Sequence, residues 1–232
     1  MNKHVLLITL CFLLGACKSN ETSYFPLNSG YSWHYDVRQI TRDGLDRQKY
    51  ILNNLGEGEL DGQRVFLKRS IDGTTLYYSM TEDAIVYLGN TNNKTLSPEF
   101  KQENQTVIRK PFSVDTEWQQ LTTTKLLKKT GPPQKTEFKI IAEVPLEEKI
   151  ASIDETINVP AGRFENCMKV TMTGSTYKNA GNYVGLTVVK VKQTNWYAKG
   201  VGLVKMERIE TTQSEALDKG SLLVELVDFD TG

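Results

Sequence analysis

The chain has 232 residues, of which 28 are Lys or Arg and 28 are Asp or Glu, so its formal net charge is zero. This balance lacks the excess of basic residues that a nucleic-acid-binding surface needs. The 39% content of hydrophobic residues is ordinary for a folded protein, and the sequence has only two His and three Cys. The composition therefore predicts a globular protein with no nucleic-acid partner and few residues for His- or Cys-based chemistry.

The N-terminus has the pattern of a secretory signal. Lys3 precedes an uncharged run over residues 5–14, which is too short to cross a bilayer. The run ends in Leu14-Gly15-Ala16-Cys17 and is followed by polar residues 18–23. This pattern resembles the lipobox of bacterial lipoproteins, in which the cysteine is acylated and becomes the first residue of the mature protein. A plain signal peptide followed by a chance cysteine is the alternative.

The lipobox resemblance implies a protein anchored to a lipid bilayer through Cys17. Two acyl chains on one residue give stable anchoring, whereas a single chain is marginal. By similarity to Gram-negative lipoproteins, Lys18 in place of Asp after the cysteine predicts the outer membrane, with the protein facing the periplasm. We therefore expect a signal peptide over residues 1–16, a lipidated tether over residues 17–23 and a single domain over residues 24–232.

The expected domain is a series of β-strands separated by turn residues. Residues 31–38 alternate between apolar and polar, which predicts a half-buried strand with Trp33 on one face and His34 on the other. Asp61-Gly62 and Asp72-Gly73 separate such segments and are strong hairpin signals. The other predicted strands cover residues 47–54, 63–71, 74–80, 84–88, 106–109, 117–127, 135–144, 150–159, 163–173, 183–197, 201–211 and 221–229.

Three stretches interrupt this pattern. Residues 91–105 are polar and predict a long loop. Residues 125–133 end in a double proline, which predicts a turn and the place where a domain boundary would fall. Residues 143–152 are compatible with a strand or a short helix. The predicted fold class is all-β and mainly antiparallel, a curved sheet or incomplete barrel of about a dozen strands with little helix.

Few side chains are candidates for catalysis. Once the signal peptide is removed, His34 is the single imidazole, and its predicted strand places it on the solvent side. Cys167 is then the single free thiol and is predicted to be a small buried hydrophobe, although simple alternation places it beside Lys169 unless a bulge near Asn166 reverses it. Together, His34 and Cys167 cannot supply the three protein ligands of a zinc site without carboxylates.

The carboxylates and aromatic side chains are the remaining candidates for chemistry or binding. The adjacent pair Glu147-Glu148 is predicted to be solvated charge. The candidate ligand contacts are Trp33, Tyr35, Trp196 and Tyr197, with membership of the core as the alternative. We expect no enzymatic activity, no cofactor and no metal.

Three motifs together resemble a known group of proteins. They are Tyr24-Phe25-Pro26-Leu27-x-x-Gly30-x-x-Trp33-x-Tyr35, Val159-Pro160-Ala161-Gly162-x-Phe164-x-x-Cys167-x-x-Val170 and Trp196-Tyr197-Ala198-x-Gly200-Val201-Gly202-Leu203-Val204-Lys205. They resemble uncharacterised bacterial lipoproteins and periplasmic proteins, similar to domain-of-unknown-function families with open antiparallel sheets and distantly similar to the periplasmic lipoprotein carriers. The resemblance brings no catalytic residues.

The predicted anchor, the strand count and the lack of a catalytic motif favour a non-enzymatic binding or accessory module of the cell envelope. Its expected partners are the bilayer and either an apolar ligand, such as a lipid or an acyl chain, or an envelope protein. A hydrolase of envelope glycan that uses two carboxylates and a purely structural envelope protein are the alternatives.

Overall fold

A computed structural model describes residues 23–92, 99–132, 136–181 and 184–232, and of residues 101–104 only the strand they belong to. The predicted signal peptide, Cys17 and most of the predicted tether lie outside these residues. The strands are β1 (Ser32–Thr41), β2 (Gly44–Leu60), β3 (Gln63–Ser70), β4 (Thr75–Met80), β5 (Ala84–Thr91), β6 (Glu99–Arg109), β7 (Glu117–Thr123), β8 (Lys128–Gly131), β9 (Thr136–Lys139), β10 (Glu143–Val159), β11 (Gly162–Asn179), β12 (Leu186–Ala198), β13 (Gly202–Thr212) and β14 (Lys219–Asp230).

Twelve of these strands form one antiparallel sheet in the order β6-β5-β4-β3-β2-β1-β14-β13-β12-β11-β10-β7, and β8 and β9 form a separate hairpin. The first and last strands pair in the middle of the sheet, so β6 and β7 are its two edges. The sheet curves until these two edges face each other. A hydrogen bond between the edges shows this: the side chain of Gln105 on β6 donates to the carbonyl of Leu121 on β7 at 3.1 Å. No backbone ladder joins the two edges in the described residues. The predicted all-β fold is confirmed as a curved sheet that is not closed.

The burial of the side chains in β1 follows the alternation that the sequence predicts. Trp33 and Tyr35 are buried, and His34 between them is exposed. The predicted Asp61-Gly62 turn forms with both residues at positive φ, 50° and 77°, the backbone conformation that a tight hairpin of this type requires. At the second predicted turn, only Gly73 has a positive φ.

Some predicted boundaries are wrong. The predicted loop over residues 91–105 contains the first part of β6, which begins at Glu99. The helical option for residues 143–152 is excluded, because these residues lie in β10. The predicted strands over residues 117–127 and 135–144 are both interrupted because Thr124 bridges the two segments, its hydroxyl donating to the Ile140 carbonyl at 2.8 Å and accepting from the Ala142 amide at 2.9 Å.

A segment that we call the N-terminal strap, residues 23–30, closes one end of the curved sheet. Gly200, in the turn between β12 and β13, donates its amide hydrogen to the Ser23 carbonyl at 2.8 Å. Asn54 on β2 donates its side-chain amide to the Pro26 carbonyl at 3.1 Å. Tyr24 and Leu27 of the strap are buried in the main core. The strap therefore fills the end of the sheet where β1 begins.

The opposite end is closed by residues 124–127, which we call the crossing segment. Leu126 and Leu127 are buried. Leu126 lies so close to Gly220, at the start of β14, that a Cβ on the glycine would come within 2.4 Å of the Leu126 carbonyl oxygen. Because the strap and the crossing segment cover the two ends, the gap between β6 and β7 is where the interior is approached from the side. The described residues contain no helix long and apolar enough to span a membrane.

Candidate functional site

A cleft of about 360 Å³ lies between β6 and β7 and reaches the inner face of the sheet. We call it the seam cleft. Its lining residues are Leu76, Tyr78, Tyr87, Gln105, Thr106, Val107, Gln120, Leu121, Thr122, Leu146, Met172, Gln193, Asn195, Tyr197 and Arg208. Two depressions of about 440 and 500 Å³ also occur, but both include the exposed Gln119, Glu147 and Thr173 of the outer face. The seam cleft is the better candidate because inner-face side chains converge on it.

A ladder of polar side chains on β12 forms the floor of the seam cleft. Gln193, Asn195 and Tyr197 share a face because alternate residues of a strand point to the same side. Gln193 donates its amide to Asn195 Oδ1 at 3.0 Å, and Asn195 donates its amide to the Tyr197 hydroxyl at 2.9 Å. Arg208 on the neighbouring strand β13 donates to Gln193 Oε1 at 3.0 Å and so begins the ladder. Burial raises the pKa of Tyr197, so its hydroxyl is protonated.

Arg208 also ties the ladder to the edge strand β7. Its guanidinium donates to the Thr122 hydroxyl at 3.1 Å and to the Thr123 carbonyl at 3.2 Å. Its charge is compensated by Glu210, whose carboxylate accepts from Arg208 Nε at 2.8 Å. Glu210 is fully buried and also accepts from the backbone amides of residues 125 and 126 at 2.9 and 2.8 Å. The Arg208–Glu210 pair therefore holds the crossing segment and one wall of the cleft.

A second buried carboxyl group lies behind the cleft. Glu148 on β10 is 1% exposed and accepts a hydrogen bond from Gln120, a lining residue. Burial raises the pKa of Glu148 to about 8, so the carboxyl group is mainly uncharged at neutral pH. Among the described residues, Glu148 Oε2, Gln120 Oε1 and Trp118 Nε1 are buried and lack a hydrogen-bond partner. The prediction that Glu147 and Glu148 are both solvated is thus wrong for Glu148, because neighbours in a strand face opposite sides.

Lys68 on β3 is a buried cation of the inner face. Its Nζ lies 4.0 Å from the ring centroid of Phe25 in the strap and 4.1 Å from that of Trp33. Within the described part of the chain, no carboxylate forms an ion pair with it. Burial lowers the pKa of Lys68 to about 7. The ammonium group is therefore stabilised by aromatic rings in place of a counter-charge.

The four aromatic residues predicted as ligand contacts occupy two different places. Tyr197 lines the seam cleft. Trp33 donates its indole hydrogen to the Val201 carbonyl at 2.6 Å, and Tyr35 donates its hydroxyl to the Leu203 carbonyl at 3.0 Å, so both belong to the smaller core cluster. Trp196 belongs to the same cluster, and its ring is flanked by Lys169 and Lys205, at 5.9 and 5.3 Å from the ring centroid.

Cys167 is fully buried, as predicted. Asn166 has a positive φ of 53°, and the ladder between β10 and β11 is irregular beside it, so the bulge considered for this position is present. Burial and the nearby Glu155 raise the pKa of the Cys167 thiol to about 11. His34 is exposed. No group of three or more His, Cys, Asp or Glu side chains in the described ranges could hold a metal ion.

Sequence reasoning missed Lys68, Arg208 and Glu210. Glu210 and Lys68 occupy inner-face positions of their strands, so a charged residue at an apolar position of the alternation was the available signal. Arg208 lies two residues before Glu210 on the same face of β13 and so carried the same signal, but its contacts with Thr122 and Thr123, about 85 residues away in the chain, had no local signal.

Comparison with known proteins gives a family match over part of the chain. A family model described as DUF3108-like matches residues 122–215. Among curated protein sequences, none matches the chain.

Three solved structures resemble the chain. A proposed exported protein with a YmcC-like fold from Bacteroides fragilis NCTC 9343 is 13% identical, with a TM-score of 0.45 and coverage of 90% of this chain and 99% of its own. A proposed lipoprotein from Parabacteroides distasonis is 15% identical, with a TM-score of 0.40 and the same two coverages. A proposed outer membrane lipoprotein-sorting protein domain from Vibrio parahaemolyticus is 11% identical, with a TM-score of 0.26 and coverage of 88% and 86%.

Proposed function

We propose that the chain is a lipid-anchored protein of the bacterial envelope that binds a small ligand in the seam cleft and does not transform it. The observation that carries the proposal is the cleft itself, which opens between two strand edges and has a ladder of inner-face polar groups on its floor. Such a concave site with a few placed polar groups is typical of ligand binding.

The predicted anchor would hold the cleft close to a membrane. Five residues, 18–22, lie between Cys17 and Ser23, so the chain makes six residue-to-residue steps to reach Ser23, which is fixed to Gly200 at one end of the sheet. Even fully extended, this length of chain spans at most about 20 Å. The end of the sheet closed by the strap would therefore face the bilayer, and the crossing segment would face away from it.

The carboxyl groups near the cleft do not suit the alternative hydrolase. Such an enzyme needs two carboxyl groups that flank the bond to be broken, one of them ionised as a nucleophile or base. Both oxygens of Glu210 are engaged by Arg208 and by backbone amides, and burial favours the uncharged form of Glu148. The lining also favours a ligand with hydrogen-bonding groups over the acyl chain that the sequence led us to expect. An acyl chain could not accept the second amide hydrogens of Gln193 and Asn195 or the hydroxyl hydrogen of Tyr197.

The anchor is tested by replacing Cys17 with Ser in the full chain. We expect Cys17→Ser to move the protein from the membrane fraction to the soluble periplasmic fraction, with an unchanged β-type circular dichroism spectrum. Undiminished membrane retention of Cys17→Ser would refute the anchor.

Ligand binding is tested by native mass spectrometry of Cys17→Ser protein purified gently from its own envelope extract. We expect an added mass that disappears in Thr122→Trp, which fills the cleft from β7. The mass should persist in Thr123→Trp, since Thr123 is the neighbouring exposed residue. No added mass, or the same mass in both variants, would refute the proposed cleft function.

A further inference from the structure

We propose that the ligand of the seam cleft is a neutral, hydroxyl-rich ring compound, a saccharide, bound by the Gln193–Asn195–Tyr197 ladder. This inference rests on the proposed binding function and adds the chemical class of the ligand.

The electrostatics of the cleft favour an uncharged ligand. Arg208 is the cation of the lining, and its charge is compensated by the buried carboxylate of Glu210. Behind the lining, burial favours the uncharged form of Glu148 at neutral pH. A phosphate, carboxylate or ammonium group on the ligand would lose its hydration without gaining a counter-charge, so the cleft disfavours charged ligands.

The direction of the hydrogen bonds determines which groups the ladder offers. A guanidinium can only donate, so the amide oxygen of Gln193 must face Arg208 and its amide nitrogen must face Asn195. The amide nitrogen of Asn195 then faces the oxygen of Tyr197. The Tyr197 hydroxyl accepts this bond and keeps its own hydrogen for a further acceptor. The second hydrogen of each amide is likewise left over, so the ladder is a row of donors for closely spaced oxygen atoms.

The walls of the cleft supply acceptors and apolar surface. The hydroxyl of Thr106 and the side-chain oxygen of Gln105 on β6 can accept hydrogen bonds from ligand hydroxyl groups. The rings of Tyr78 and Tyr87 lie 5.6 Å apart on the lining. Aromatic rings beside hydrogen-bonding groups match a sugar, whose ring carries C–H groups on its faces and hydroxyls around its rim.

The size and position of the cleft fit one or two sugar rings. Its volume of about 360 Å³ is at the lower end of the range for small-molecule sites. The opening runs along the gap between β6 and β7, and the ends of the sheet are covered. A longer glycan could therefore place one residue in the cleft and continue outside it on either side.

The test uses the full chain with Cys17→Ser and isothermal titration calorimetry. The probes are neutral hexoses, N-acetylhexosamines and their disaccharides, compared with glucuronic acid, glucose 6-phosphate and a capped trialanine. We expect the tightest binding among the neutral sugars. Tyr197→Phe should weaken it about tenfold through loss of one hydrogen bond, about 1.4 kcal/mol. Tyr177→Phe is the matched control because Tyr177 is 75% exposed.

The outcomes separate this inference from the proposed function. Preference for the charged sugars or the peptide, or equal affinity in Tyr197→Phe and Tyr177→Phe, would overturn the saccharide assignment. A different outcome is that no sugar binds while native mass spectrometry still finds an added mass that belongs to another class of ligand and disappears in Thr122→Trp. In that case the saccharide assignment fails and the binding function stands. If neither sugar binding nor a cleft-dependent mass is found, both fail. Thermal unfolding of each variant checks that the fold is intact.

Discussion

Replacement of Lys68 by Met should stabilise the folded chain at neutral pH. Met has nearly the length of Lys and can occupy the space between Phe25 and Trp33 without a charge. In the folded chain the pKa of Lys68 is about 7, against an ordinary value of 10.5. At about 1.4 kcal/mol per pKa unit, burial of the ammonium group costs about 5 kcal/mol. At pH 7 about half of the folded molecules have already released this proton, so we expect Lys68→Met to gain about 4 kcal/mol in the free energy of unfolding near pH 7.

The gain should depend on pH in a defined direction. Between pH 7 and pH 10.5 the unfolded chain holds a proton on Lys68 that the folded chain has released. Raising the pH in this window therefore favours the folded wild-type chain. The advantage of Lys68→Met over the wild type should shrink by about 2–3 kcal/mol from about pH 7 to about pH 9.5.

Urea unfolding of the Cys17→Ser chain, with and without Lys68→Met, measures this difference at each pH. Comparison at the same pH cancels the contributions of the other titrating groups. Lys190→Met is the control, because Lys190 is exposed on the outer face of β12, and it should change stability little at any pH. A wild type that is more stable than Lys68→Met near pH 7, or a difference that does not change with pH, would refute the reasoning.

Three further predictions concern the other buried groups. In the wild type, the folded carboxyl group of Glu148 keeps its proton between about pH 4.5 and about pH 8, so the free energy of unfolding should fall as the pH rises through this window. Glu148→Gln removes the titrating group, so this fall should be absent when urea unfolding of the variant is measured. The same pH profile in both chains would contradict the prediction. Arg208→Met should lower the free energy of unfolding by about 3–5 kcal/mol because it leaves Glu210 buried without its counter-charge, and a loss below 1 kcal/mol would count against a stabilising role of the Arg208–Glu210 pair. Iodoacetamide should leave Cys167 unmodified in the native chain and alkylate it in urea, as followed by mass spectrometry; rapid native alkylation would show that the thiol is accessible.

Most of the fold was predictable because buried and exposed residues alternate along a half-buried strand, and this alternation is visible in the sequence. In β1 the alternation of Trp33, His34 and Tyr35 matches the observed burial. The bulge considered near Asn166 is present and brings Cys167 and Met168 both into the interior. Predicted strand limits failed at Thr124, which ends β7 through bonds to residues 140 and 142.

The candidate site was less predictable than the strands that build it. Tyr197 was named as a ligand contact, and it does line the cleft, but its partners Asn195 and Gln193 carry no motif. Arg208 reaches Thr122 across the interior, and this contact exists only because the curved sheet brings β13 opposite β7. A polar cleft formed by distant segments leaves no local signal in the sequence.

The sequence by itself determined the all-β class, the positions of most strands and the lipobox resemblance at Cys17, because alternation, turn residues and a signal motif are local properties. Only the tertiary structure decided that β6 and β7 face each other without pairing, which leaves the side opening. It alone also placed Lys68, Glu148 and Glu210 in the interior. The physical reason is that curvature, edge placement and the compensation of buried charge depend on contacts between segments far apart in the chain, and the free energy of those contacts is not encoded in any one stretch.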